Sequence, residues 1–169
     1  LCQWGKALGA TVIGTVGSAE KAKLAKKYGA KHIILYRDED FAARVKEITR
    51  GKMCDVVYDG VGKATFPGSL DCLKPFGVFA SFGSASGQIE VFNIGMLAQK
   101  GSLFATRPTL FTHTANRESL VKMARDLMKV VGDGTVRIPI SATYDLADAA
   151  EAHRMLQGRD TTGMTILIP

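Results

Sequence analysis

The sequence predicts an α/β fold built on a doubly wound parallel sheet, and three observations predict it. Short apolar segments rich in Val and Ile alternate with amphipathic helical segments from residue 11 to residue 106. The apolar segments are hydrophobic throughout rather than at every second position, which is typical of parallel strands covered on both faces. Gly-containing turns follow the ends of several of these segments. Together these features indicate strand–helix units that follow one another in a single sheet.

The chain opens on a helical segment. Leu1, Trp4 and Leu8 are spaced as on one helix face, and Gly9 stands where a C′ glycine ends a helix. The first strand and the Gly-rich turn that open a dinucleotide-binding fold are not in the sequence. We therefore expect the chain to be a piece of a longer protein.

The remaining elements follow in order. The predicted strands are 11–16, 31–36, 55–59, 77–82, 102–106, 138–144 and 164–168. The predicted helices are 20–28, 41–51, 66–73, 94–99, 117–131 and 145–156, the last of them capped by Asp145.

Composition limits the function classes. The 169 residues are 46% hydrophobic and 22% charged, as in a soluble globular protein. Neither a membrane-spanning run nor a signal peptide is apparent, and the three cysteines lack the spacing of a metal site or a disulfide framework. We expect a cytoplasmic protein that has no metal centre and no membrane partner.

The net charge of +6 is concentrated near the start of the chain, where five lysines fall within residues 21–31. Such a cluster is compatible with a nucleic-acid surface, a phosphate pocket or a solvated helix face. Nucleic acid is the less favoured partner, because no aromatic residues are interleaved with the lysines to stack on bases.

The end of the strand at 11–16 predicts the cofactor. In a dinucleotide-binding unit an acidic residue at the end of the second strand selects NAD, whereas a small residue with nearby cations leaves room for a 2′-phosphate. Here the strand ends in Val16-Gly17-Ser18, and Lys21 follows. This pattern favours NADP, although Ser18 also suits a simple helix N-cap.

Several stretches together resemble the zinc-independent quinone oxidoreductases (zeta-crystallin-like) of the medium-chain dehydrogenase/reductase superfamily. The similar segments are 2–10, 14–17, 56–62, 69–73, 81–83, 99–103, 106–108 and 166–169. They lie in register along the full chain, which is more specific than any single motif.

The resemblance implies an N-terminally incomplete Rossmann-like domain over residues 1–110. It implies that residues 111–169 hold the end of the cofactor domain and the C-terminal part of the catalytic domain. The implied reaction is hydride transfer from NADPH to a quinone or an activated enone, by a homodimer that pairs through the strand at 102–106. We expect the 169 residues alone to be inactive.

The predicted cofactor-binding residues are Gly17, Ser18, Lys21, Tyr36, Gly60, Val61, Phe82, Gly83, Ser84, Arg107 and Arg159. Packing at a strand end is an equal interpretation for Val61 and Phe82, and Arg159 also suits a solvated loop. No catalytic residue is assigned, because the three histidines are scattered along the chain. Asp59 stands at a strand's carboxyl end, where it suits either a functional role or the capping of the next turn.

Two other functions stay open at this point. One is a protein that binds NADPH without turnover, in a crystallin-like or regulatory role. The other, less favoured, is a basic nucleic-acid-binding domain, which a steep salt dependence of binding would reveal.

Overall fold

The computed structural model describes residues 1–158 and 161–169, and it has the predicted α/β architecture of parallel strands joined by helices. The strands are β1 (Ile13–Val16), β2 (His32–Leu35), β3 (Cys54–Asp59), β4 (Leu73–Ser81), β5 (Phe104–Thr106), β6 (Ile140–Asp145) and β7 (Met164–Ile168). The helices are α1 (Cys2–Ala7), α2 (Ala19–Lys27), α3 (Phe41–Ile48), α4 (Gly68–Asp71), α5 (Gly95–Gln99), α6 (Leu110–His113), α7 (Arg117–Gly132) and α8 (Ala149–Gln157).

The strands form three parallel ladders. β1 pairs with β2, β3–β4–β5 form a second sheet in that order, and β6 pairs with β7. β5 therefore lies at a sheet edge, as predicted. Within the described residues no backbone ladder joins β1 to β3, so each of these strands has one edge without a hydrogen-bonded neighbour.

Side chains connect the first two sheets where backbone hydrogen bonds do not. Ile34 of β2 is fully buried in a cluster with Val45 of α3 and Cys72. Ile13 of β1 and Val57 of β3 both pack against that cluster. Burial of this apolar surface stabilises the contact between the two sheets. A second buried cluster joins Leu73 and Phe79 of β4 to Leu70 and Leu103.

Several element boundaries differ from the prediction, and contacts between residues distant in sequence explain two of them. The helix expected over 66–73 ends at Asp71, because Cys72 already accepts a hydrogen bond from the Cys54 N–H and Leu73 begins β4. The Asp145 side chain makes no capping hydrogen bond, because Asp145 is the last residue of β6 and is paired with Ile168 of β7. A 3₁₀ turn (Leu146–Asp148) then precedes α8.

The exposure of β3 also departs from the pattern of strands buried on both faces. Val56 and Tyr58 point to one face of β3 and are 40% and 63% exposed.

No described helix is long and apolar enough to cross a membrane.

Candidate cofactor site

Gly17, which directly follows β1, lies beneath two side chains from the end of β2. A Cβ atom at Gly17 would stand 2.9 Å from the Tyr36 hydroxyl oxygen and 3.3 Å from the Arg37 Nε. Since real Cβ atoms do not approach oxygen so closely, only glycine lets Tyr36 rest here without displacement. The parallel pairing of β1 with β2 causes this proximity, because it brings Val16 opposite Leu35 and both strands end together.

The first turn of α2 stands beside this group. The Ser18 hydroxyl accepts a hydrogen bond from the Lys21 N–H at 3.3 Å, which confirms Ser18 as the N-cap. The pKa of Glu20 is lowered by its own backbone N–H and by a hydrogen bond from Ser18. The Ser18 hydroxyl is thus already used in two hydrogen bonds at the start of α2. Gly17 and Lys21 are therefore better placed than Ser18 to contact a ligand.

Lys21 also lines a cleft of about 490 Å³ between α1, α2 and the turn before β7. Thr161, Thr162 and Gly163 also line this cleft. Arg159, predicted to contact the cofactor, lies outside the described residues.

Asp59 ends β3 and organises the turn that follows. The carboxylate is 4% exposed, and its Oδ1 accepts hydrogen bonds from the N–H groups of Val61 and Gly62 at 2.8 and 3.0 Å. Its Oδ2 accepts from the hydroxyls of Thr65 and Ser69, at 2.7 Å each. Burial raises the pKa of the Asp59 carboxyl, but the four hydrogen bonds outweigh that effect and hold the pKa below its usual value. Asp59 is thus a capping carboxylate, the second of the two interpretations.

The turns after β3 and β4 are held against each other by backbone contacts. Ala85 N–H donates to the Gly60 carbonyl at 3.2 Å, and Ser86 N–H donates to the Val61 carbonyl at 2.8 Å. A Cβ at Gly83 would lie 2.5 Å from the Gly60 oxygen, so glycine is required for this close approach. The turns therefore form one rigid wall at the carboxyl ends of the strands.

Two side chains complete this wall. The Phe82 ring lies over Gly60, where a Cβ would meet its Cζ at 3.0 Å. Arg107, just after β5, donates from one guanidinium nitrogen to the carbonyls of Ser81 and Gly83 at 2.8 and 3.2 Å. Arg107 thus ties the end of β5 to the end of β4.

A cavity of about 460 Å³ opens beside Arg107. Its polar rim includes Ser84 and Arg107, and its apolar wall includes Ile89, Phe92 and Ala105. In open α/β sheets, crevices outside the carboxyl ends of the strands are the usual ligand sites. An apolar wall with a few polar groups at one end suits a flat ring that carries oxygen or amide substituents.

The structure thus brings the predicted residues together in two groups. The first is Gly17, Ser18, Lys21 and Tyr36; the second is Gly60, Val61, Phe82, Gly83, Ser84 and Arg107. Val61 and Phe82 are 39% and 49% exposed, so neither is merely buried packing.

Sequence reasoning missed Arg37. Its guanidinium shares the space above Gly17 with the Tyr36 hydroxyl, and it makes no hydrogen bond or ion pair with a described residue. The available signal was the position of Arg37 directly after the strand that follows 11–16, where a basic side chain can lie beside the end of that strand.

Metal and thiol chemistry is not assembled in the part of the chain that the structure describes. No three His, Cys, Asp or Glu side chains there lie close enough to hold a metal ion. Burial raises the pKa of the Cys72 thiol to about 12 and also raises the pKa of Cys54.

Comparison with known proteins gives close relatives. The chain is 51% identical over 168 residues to a quinone oxidoreductase of Pseudomonas aeruginosa, covering 99% of this chain and 52% of that protein. It is 44% identical over 167 residues to a 2-haloacrylate reductase of a Burkholderia species, covering 98% of this chain and 50% of that protein. It matches the crystal structure of Escherichia coli quinone oxidoreductase complexed with NADPH with a TM-score of 0.95 at 47% identity, covering 99% of this chain and 52% of that one.

The chain spans about half the length of these relatives. The similarity confirms the resemblance to quinone oxidoreductases and the Rossmann-like fold class. The profile of the zinc-binding dehydrogenase family matches residues 1–134, and since this is most of the sequence, the chain belongs to that family.

Proposed function

We propose that these residues form the NADPH-binding half of a cytoplasmic oxidoreductase that transfers a hydride from NADPH to a quinone or an activated enone. The carrying observation is the end of β1, where Gly17 lies under Tyr36 and Arg37 and none of Val16, Gly17 and Ser18 is acidic. The E. coli relative that contains NADPH supports this choice of cofactor.

The adenosine 2′-phosphate is assigned to the first group of residues. Lys21 and Arg37 supply cations from two different elements, and the Tyr36 hydroxyl supplies a neutral donor between them. A guanidinium can bind a phosphate through two parallel hydrogen bonds, whereas a Lys ammonium acts as a point charge. An NAD site would instead need a carboxylate here to bind the ribose hydroxyls.

The nicotinamide end is assigned to the second group. The wall formed by Gly60, Val61, Phe82 and Gly83 is rigid because Asp59 and Arg107 fix its two turns. The cavity beside Arg107 is large enough for a quinone ring, and its apolar wall would exclude water from it.

NADPH, when bound, supplies the hydride. The residues of this chain orient the ring and keep solvent away, which favours transfer by proximity and by a low local dielectric. The protein need not supply a nucleophile for such a step, and none is assigned. We also propose the division into residues 1–110 and 111–169, and a homodimer that pairs through the edge strand β5.

The test is NADPH oxidation by the full-length protein with 1,4-benzoquinone, followed at the absorbance of the reduced nicotinamide. Lys21→Ala and Arg37→Ala should each raise the KM for NADPH about tenfold, since a partly exposed charge-assisted contact is worth about 1–2 kcal/mol. The KM for NADH should stay nearly unchanged, because NADH lacks the 2′-phosphate.

Lys26→Ala is the matched control, since Lys26 is exposed in the last turn of the same helix. Equal weakening of NADPH and NADH would refute the phosphate assignment. NADPH binding without quinone-dependent oxidation would instead indicate a binding protein without turnover.

A further inference from the structure

Arg107 is the one charged side chain among the described residues that line the cavity of about 460 Å³. The rest of the lining is apolar or carries neutral polar groups, such as those of Ser84 and Gln88. Arg107 makes no ion pair with a described residue. The carboxylate of Glu90, on the loop that carries Gln88, pairs instead with the Lys63 ammonium at 3.3 Å. The described part of the chain therefore leaves the positive charge at this cavity without a counter-ion.

The Arg107 guanidinium is held in place through one nitrogen and keeps the others available. Its Nη1 donates to the carbonyls of Ser81 and Gly83 at 2.8 and 3.2 Å, whereas Nε and Nη2 make no hydrogen bond with a described residue. Nε and Nη2 form one edge of the planar group, and two parallel N–H donors on such an edge suit a carboxylate. Arg107 thus offers a fixed binding edge for an anion.

The place of Arg107 in the sheet separates it from the expected phosphates of the cofactor. β4 lies between β3 and β5, so Arg107 stands about 10 Å beyond the end of β3 at the usual strand spacing. In doubly wound sheets the pyrophosphate lies at the start of the helix after the first strand, on the other side of the fourth strand. The 2′-phosphate is assigned to the end of β1. Arg107 therefore stands at the end of the site assigned to the nicotinamide and the acceptor.

We infer that Arg107 determines the class of acceptor: the substrate carries a carboxylate next to its reducible double bond, and the Nε and Nη2 edge of Arg107 binds that carboxylate. This inference rests on the proposed function and narrows its acceptor to an α,β-unsaturated acid. The apolar wall that includes Ile89 and Phe92 contacts the carbon skeleton of the acid. The charged end of the acid then has a partner, and its apolar end is kept from water.

The same contact lowers a barrier that is specific to unsaturated acids. When the hydride adds to the β-carbon, the electron pair of the double bond moves to the α-carbon and into the carboxylate, which gains a second negative charge. The α-carbon then takes a proton from water, so the product is the saturated acid. The acceptor gains the two electrons that the nicotinamide gives up. A guanidinium on the carboxylate stabilises the developing charge, and a neutral quinone has no such need.

The test uses 2-chloroacrylate and its methyl ester as acceptors for the full-length protein, because the two compounds share a carbon skeleton and differ in charge. Arg107→Gln removes the charge and keeps an N–H donor at this position. The acid-to-ester ratio of kcat/KM for this variant should fall about ten- to hundredfold below that of wild type, as expected when charge-assisted hydrogen bonds are lost. Arg107→Lys, which keeps the charge without the planar fork, should fall between the two proteins.

A binding measurement on the wild-type protein makes the test independent of the variants. Titration calorimetry with NADP⁺ present should show 2-chloropropanoate binding at least about tenfold more tightly than 2-chloropropanamide, which is neutral. Arg125→Gln is the matched control for the kinetics, because Arg125 is exposed on α7 and does not line the cavity. It should leave the acid-to-ester ratio unchanged.

Three outcomes would overturn the inference. They are an equal loss for acid and ester in Arg107→Gln, no loss for either, and a wild-type protein that binds the acid no more tightly than the amide. If 1,4-benzoquinone still supports NADPH oxidation in that case, the proposed function stands and only the acceptor class is wrong. If none of these acceptors supports NADPH oxidation, the proposed function itself is refuted.

Discussion

Replacing Asp59 with Asn should destabilise the fold by removing the charge from a buried, fully used carboxylate. Asp59 is 4% exposed and accepts four hydrogen bonds of 2.7–3.0 Å. Asn keeps the shape and one acceptor oxygen, but its NH₂ group faces the Thr65 and Ser69 hydroxyls, which must then turn to accept. If each charge-assisted bond loses about 0.5–0.75 kcal/mol, the four together amount to about 2–3 kcal/mol of unfolding free energy.

The loss should depend on pH in a defined direction. The pKa of Asp59 in the folded protein lies below its usual value of 3.8. The stabilisation is therefore fully present above about pH 5 and disappears as the pH falls through the folded-state pKa. Urea denaturation of the full-length protein at pH 7 and again below pH 4 should show a large gap between wild type and Asp59→Asn that narrows in acid.

Asp55→Asn is the control on the same strand. Asp55 is exposed and pairs with the Lys74 ammonium in solvent, so its replacement should change stability little at either pH. A gap between wild type and Asp59→Asn that stays constant from pH 7 into acid would show that the charge is not what stabilises this turn. Asp59→Asn should also weaken NADPH binding, because the N–H groups of Val61 and Gly62 lose the carboxylate that fixes their positions.

Three further predictions concern other parts of the molecule. Gly17→Ala should weaken NADPH binding severalfold by displacing the Tyr36 hydroxyl. It should lower the free energy of unfolding by only about 1 kcal/mol or less, because Tyr36 is 41% exposed and can move. Calorimetry measures the binding and thermal unfolding the stability, and a large loss of stability would contradict this prediction. Cys72 should react with iodoacetamide at pH 8 far more slowly than the less buried Cys2, because burial raises the pKa of the Cys72 thiol to about 12. Peptide mass spectrometry measures the two rates, and equal rates would contradict this prediction. Phe104 lies on the edge strand β5 and is 60% exposed. Phe104→Lys should therefore convert the proposed homodimer into a monomer, as measured by light scattering at micromolar concentration. A wild-type protein that is itself a monomer would refute the proposed homodimer.

The fold class and the order of elements could be predicted from the sequence because they depend on local patterns. The spacing in α2 and the Ser18 cap involve neighbours within one helical turn, and the apolar run of β2 needs no partner to be recognised. The boundaries that differ are those decided by distant contacts. Leu73 has helical spacing with Leu70, but the Cys54 N–H donates to the Cys72 carbonyl and β4 then begins at Leu73 rather than at Gly77.

The candidate site divides along the same line between local and distant contacts. Gly17 and Lys21 could be predicted because a strand end followed by a helix start is itself a phosphate-binding arrangement. Arg37 could not be weighed against the other lysines and arginines without knowing that β2 lies beside β1 and ends at the same level. Under the proposed function, cofactor specificity therefore depends on residues whose types suggest nothing in isolation, and which come together because β1 and β2 end side by side.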